Sequence, residues 1–100
     1  MMFDKEKINK FKSLINNKRR IWKEESYFID GKPATKETFL FRKSDGAGYV
    51  VGHDDYLDIY IDLPALYFTH KIDEFESFEN ALNFIVETYS INLEGNLTKK

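Results

Sequence analysis

The most regular pattern in the chain is YLDIYIDL, Tyr56 to Leu63, in which Leu57, Ile59, Ile61 and Leu63 alternate with Tyr56, Asp58, Tyr60 and Asp62. Strict period two puts one set on each face of a strand, so this run predicts a half-buried strand with a polar outer face. A helical period governs the two ends of the chain instead. Near the start, Asp4 stands as an N-cap before Ile8, Phe11, Leu14 and Ile15 among lysines, which predicts an amphipathic helix closing at Asn16-Asn17. Near the end, Ser77 precedes Phe78, Ala81, Leu82, Ile85, Val86 and Tyr89 at i, i+3, i+4, i+7, i+8 and i+11, a helix reaching about Ser90.

Between the helices the signals are those of strands. Arg19 to Asp30 is rich in β-branched and aromatic residues and ends in Asp30-Gly31 and Pro33, a turn. Thr38 to Lys43 reads as a second strand, SDGAG as its hairpin loop, and Tyr49 to Gly52 as the return strand. Pro64 ends or edges the alternating strand, and LYFTHKI supplies one more. The tail from about residue 92 to 100 has no periodicity and reads as frayed. Strands grouped between helices make this an α+β fold: one domain over residues 1–100, an antiparallel sheet of four or five strands, flanked by an N-terminal and a C-terminal helix that cover one sheet face.

The chemistry-bearing residues gather around His53-Asp54-Asp55. Aspartate favours turns because its carboxylate bonds nearby backbone amides, so HDD reads as the turn before the alternating strand. A metal centre needs three or four converging ligands, and the only other histidine is His70, so no metal site is expected. A small enzyme built on His53 and His70 would require those two side chains to meet in a cleft. Asp58 and Asp62 on an alternating strand face water, no GxSxG is present, and GAGYVVG continues as a strand where a dinucleotide loop would open a helix. No catalytic residue, metal or cofactor is assigned. The absence of cysteine removes disulfides, thiolate zinc sites and a cysteine nucleophile, leaving packing alone to hold the core.

Charge adds a polarity that the periodicities do not contain. Residues 1–43 carry twelve Lys/Arg against six Asp/Glu, and residues 44–100 carry three against eleven. Two opposite surfaces follow from this asymmetry. The basic one is Lys18, Arg19, Arg20 and Trp22, a candidate electrostatic and stacking platform for nucleic acid, as in a phage-type regulatory protein. The acidic one is Asp54, Asp55, Tyr56, Asp58, Tyr60 and Asp62, where tyrosine supplies apolar area with a hydroxyl handle and aspartate attracts a basic partner. The N-terminus MMFDKEKINKFK is too charged for a secretory signal and no apolar run approaches about 18 residues, so a cytoplasmic protein without a membrane partner is expected.

In size, element order and acidity the chain resembles the small bacterial immunity proteins that neutralise a cognate toxin, including those of contact-dependent inhibition systems. The resemblance lies in that profile and in no motif, so no functional residue is carried over from the family. It implies a non-enzymatic inhibitor whose cognate partner is a basic toxin domain, often a nuclease, with carboxylates of the inhibitor occupying the groove meant for phosphates. The acidic tyrosine-bearing surface is the expected contact.

Overall fold

The computed structural model describes residues 5–17, 19–91 and 97–99. Helix α1 (Lys5–Asn16) is followed by strands β1 (Arg19–Ile29), β2 (Lys32–Arg42), β3 (Tyr49–Leu57) and β4 (Thr69–Phe75), helix α2 (Phe78–Tyr89) and a last strand β5 (Leu97–Lys99). All pairings are antiparallel, in the spatial order β4-β3-β2-β1-β5. The α+β architecture with both helices on one face of the sheet is as the sequence leads one to expect. The tail differs: residues 97–99 pair with Arg19 to Ile21 as an edge strand, while residues 92–96 and 100 lie outside the described residues, as does Asp4, the expected cap of α1.

Local chemistry explains each element. Asp30 and Gly31 both take positive φ, 51° and 77°, the pair of left-handed residues that a two-residue hairpin turn requires to match the twist of its strands. That tight turn delivers the chain into β2 at Lys32, so the strand begins six residues before Thr38, where the sequence predicts its start. Pro33 is tolerated there because β3 pairs no further along β2 than Ala34, so no strand calls on the missing amide. In α2 the Ser77 side chain accepts from the Asn80 backbone N–H at 3.3 Å, and Ser90 closes the helix at φ 55° with its N–H on the Val86 carbonyl.

The core lies between the helices and one end of the sheet. Phe11 and Ile15 of α1, together with Phe78, Ala81, Leu82, Ile85 and Val86 of α2, enclose Ile21, Leu40, Tyr49 and Val51 from the three central strands. Burial of each such Ile or Leu contributes about 1.5–3 kcal/mol, so this cluster supplies most of the driving force for docking the helices. Tyr49 completes it with an edge-on contact to Phe78 and a hydroxyl that donates to Asn16 at 3.1 Å. Toward the β1–β2 hairpin the same sheet face turns polar, with Glu25, Tyr27, Lys36 and Asp55.

Strand β3 is the main departure from the sequence reading. It runs unbroken from Tyr49 through His53, Asp54 and Asp55 to Leu57, so HDD is the middle of a central strand and not a turn. Turn propensity loses because every one of these side chains finds a partner across the sheet: His53 pairs with Thr38, Asp54 with His70 and Asp55 with Tyr27. The alternating run, by contrast, is not a strand. After Leu57 the chain forms two single 3-10 turns, Asp58–Tyr60 and Pro64–Leu66, because the residue of β2 next in line beyond Ala34 is Pro33, which has no amide to offer, and the hairpin lies just past it.

The helix-free face is closed over its centre by a ring and a glycine. Phe39 lies across Gly52 so tightly that a Cβ at position 52 would sit 2.2 Å from its Cζ atom. Gly52→Ala is therefore expected to lower the urea midpoint by the equivalent of about 1–3 kcal/mol, the usual cost of overpacking, and Phe39→Leu in the same chain should recover part of that loss.

Candidate partner-binding surface

Residues opposite the core on each strand form two in-register rows across the helix-free face. Trp22, Phe39, Gly52 and Ile72 make an apolar row, and Glu24, Glu37, Asp54 and His70 make a polar one beside it. The apolar row is a stack: Trp22 and Phe39 have ring centroids 5.2 Å apart, and Phe39 and Phe41 5.8 Å, all nearly parallel. The Arg20 guanidinium lies 5.7 Å from the Trp22 ring centroid and 5.4 Å from that of Phe41, a cation–π contact that spreads over both.

In the polar row three carboxylates stand side by side on adjacent strands. Asp54 is buried and bonds the His70 Nδ1 at 2.5 Å. Glu37, between Asp54 and Glu24, has its pKa raised, first by burial and then by the charges of those two neighbours, while a hydrogen bond from Tyr56 pulls the other way. Carboxylates opposite one another repel, so the row is held together by the strands and not by its own charges. Tyr56, only 2% exposed, lies beneath Tyr67, their rings stacked at 4.4 Å, and its hydroxyl is pushed up to about 12 by burial and by Glu37.

The connection 58–68 borders this row and is firmly tied. Thr35 Oγ1 donates to Asp58 at 2.6 Å, the Tyr67 hydroxyl donates to the Ile61 carbonyl, and the Phe68 N–H donates to the Asp55 carbonyl at 2.8 Å. Yet its apolar side chains face outward. Ile59 is 72% exposed and Phe68 54%, with Ile61, Leu63 and Leu66 also exposed, and Phe28 near the β1–β2 hairpin is exposed as well. Isolated exposed apolar residues are ordinary, but five of them within one eleven-residue connection form an unusually apolar stretch of surface for a small domain.

The sequence-selected acidic residues do not share one face. Asp54 and Tyr56 belong to the helix-free face and are buried, whereas Asp55 points to the helix side and accepts from the Tyr27 hydroxyl. That bond and burial raise the Tyr27 pKa to about 12, burial being the larger cause. Asp58, Tyr60 and Asp62 lie in the connection, where no strand aligns them, and Asp58 and Asp62 are exposed. Of the basic set, Arg20 and Trp22 meet on the helix-free face, Arg19 is placed in β1, and Lys18 lies outside the described residues.

His53 and His70 do not converge, since they occupy adjacent register positions and so opposite faces. His53 stacks on Tyr89 at 4.6 Å and shares a 2.7 Å hydrogen bond with Thr38, and burial lowers its pKa, which favours the neutral ring. Among the described residues no group of three or more His, Asp or Glu is placed to hold a metal ion. A cavity of about 920 Å³ lies at the far end of the helix side, where Lys5, Lys12 and Arg42 face Glu76 and Glu79.

Sequence reasoning missed Glu24, Glu37 and His70 as members of one row, because only the strand register brings them together. It also assigned Ile59, Ile61 and Leu63 to a buried face. The signal that bears on them is Pro64 and the short span left for β2 before its Asp-Gly turn. No family model matches the chain, and neither a curated protein nor a solved structure matches it.

The raised pKa of Glu37 has a definite consequence for stability. A carboxyl whose folded pKa exceeds its unfolded value adds stability that is complete below the unfolded pKa and is lost as pH rises through the folded one. Replacing Glu37 by Gln is expected to raise the urea midpoint relative to wild type at pH 7, with the difference shrinking toward pH 4. Parallel urea titrations at the two pH values check this.

Proposed function

We propose that this protein is a binding module that docks a basic protein partner on its helix-free side, acting as an immunity-type inhibitor of a basic toxin domain. The observation that carries the reading is the ordered connection 58–68, whose outward Ile59, Ile61, Leu63, Leu66 and Phe68 alternate with Asp58 and Asp62. A connection whose backbone is already tied loses little backbone entropy on docking, and the aspartates among its apolar residues select a cationic surface. The carboxylate row supports the same partner chemistry. A lysine or arginine laid against Glu24, Glu37 and Asp54 would relieve repulsion that the isolated domain has to tolerate.

The contact surface differs from the acidic tyrosine ladder that the sequence suggests. Asp58 and Asp62 stay in it, Asp54 contributes through the row, Tyr56 serves as the buried floor under Tyr67, and Asp55 falls on the other side. A nucleic-acid reading would use Arg20 and Trp22. It is weakened by Glu24 and Glu37, which stand beside those aromatic rings and repel a phosphate backbone.

Affinity capture from the native cell, with nuclease-treated and untreated lysates, tests the proposal when wild type is compared with Ile59→Asp, Leu63→Asp. The captured protein is then purified and titrated calorimetrically. A basic protein is expected, bound in the nuclease-treated lysate, with affinity falling as salt rises and at least about tenfold weaker for the variant at an unchanged urea midpoint. Recovery of nucleic acid that is indifferent to the variant would instead transfer the function to Arg20 and Trp22.

A further inference from the structure

Strand β4 is a terminal strand of the sheet, and among the described residues no strand lies along its outer edge. The opposite edge is treated differently, since β5 covers β1 at Arg19 to Ile21. An open edge presents unpaired N–H and C=O groups and is a template for another strand. Here the strand carries no proline, and His70, Lys71, Ile72 and Glu74 are exposed, Ile72 to 49%.

The sequence of this edge, THKIDEF, is complementary to itself. Two copies related by a two-fold axis must pair residues whose numbers sum to a constant even value, because paired residues share a sheet face. With the axis at Ile72, Lys71 falls opposite Asp73 and His70 opposite Glu74, each pairing occurring twice, and Ile72 meets its own copy. Opposite charges face one another in both Lys71–Asp73 pairings, the imidazole of His70 stands within reach of the facing carboxylate, and the exposed isoleucines close on the axis. Among the described residues no strand covers β1 at Glu24 and Glu25, and an axis on either one sets that glutamate against itself.

We infer that the chain forms a two-fold dimer by antiparallel pairing of β4 with β4, centred on Ile72. The axis of an antiparallel pair stands perpendicular to the sheet, so both helix layers fall on one side and the two helix-free faces join into one. The polar row Glu24, Glu37, Asp54 and His70 then runs on to Glu74 of the partner subunit. That carboxylate already holds its own chain's Lys43 at 2.6 Å, so the junction carries a lysine beside its carboxylates. This inference is independent of the partner proposed above, because it concerns the strand edge and a second copy of the same chain.

Sedimentation equilibrium of the full chain tests it through charge exchange. Wild type is expected to be a dimer. Lys71→Glu and Asp73→Lys should each weaken self-association by at least about tenfold, since each turns two attractive pairs into repulsive ones. An equimolar mixture of the two variants should recover the dimer, because Glu at 71 then faces Lys at 73 in one pairing and the native residues face each other in the second. Ile72→Lys, which sets like charges on the axis at an exposed position, gives a second route to the monomer should either charge variant lose its far-ultraviolet circular dichroism. A monomeric wild type overturns the inference, as does a dimer indifferent to all three variants or a mixture of the charge variants that stays monomeric.

Discussion

The register of β2 on β3, Arg42 opposite Tyr49 through Ala34 opposite Leu57, decides where every chemically interesting side chain in this protein can point. It sets a histidine and two aspartates in the middle of a central strand, Asp54 buried and His53 and Asp55 half-buried, an arrangement that would be costly without partners. Thr38 of β2, His70 of β4 and, two strands away, Tyr27 of β1 are those partners. Because Pro33 offers no amide on that side, just short of the Asp-Gly hairpin, β3 stops at Leu57 and the chain beyond it leaves the sheet. This pairing thus sets Glu37 beside Asp54 at the centre of the polar row and ends β3 where the apolar connection begins.

The two sheet faces are specialised by what covers them. On the helix side, Ile21, Leu40 and Val51 are sealed by α1 and α2, and His53 is drawn toward its neutral form by the same burial. On the helix-free side the aromatic stack of Trp22, Phe39 and Phe41 excludes water by lying flat on the sheet, with Gly52 making room for the Phe39 ring. Beside that stack the repulsion within Glu24, Glu37 and Asp54 is tolerated as the cost of a surface that favours cations. The row draws Glu24 and Glu37 from the basic half of the chain and Asp54 from the acidic half, so the local charge is set by the fold and not by the balance of either half.

Much of the architecture was written in local periodicity. The spacing of Phe78, Ala81, Leu82, Ile85 and Val86 behind Ser77 specifies α2, because a 3.6-residue period and a cap need no information from elsewhere. Asp30-Gly31 likewise carries its own turn, and the grouping of strands between helices carries the α+β class. Charge asymmetry and the lack of cysteine are also properties of composition alone.

The alternation from Tyr56 to Leu63 shows where local information ends. Period two is necessary for a strand, but a strand exists only where a neighbour accepts its hydrogen bonds, and that neighbour is fixed by a turn more than twenty residues upstream. In the same way Asp54 and Asp55 look like turn residues until His70 and Tyr27 are placed beside them. The sequence by itself determined the helices, the hairpin at Asp30-Gly31, the fold class and the polarity of charge, all of which depend on neighbours along the chain. Only the tertiary structure decided that HDD is a strand, that Ile59 and Leu63 face solvent, and that Glu24, Glu37, Asp54 and His70 form one row, because cross-strand register is a property of the whole sheet.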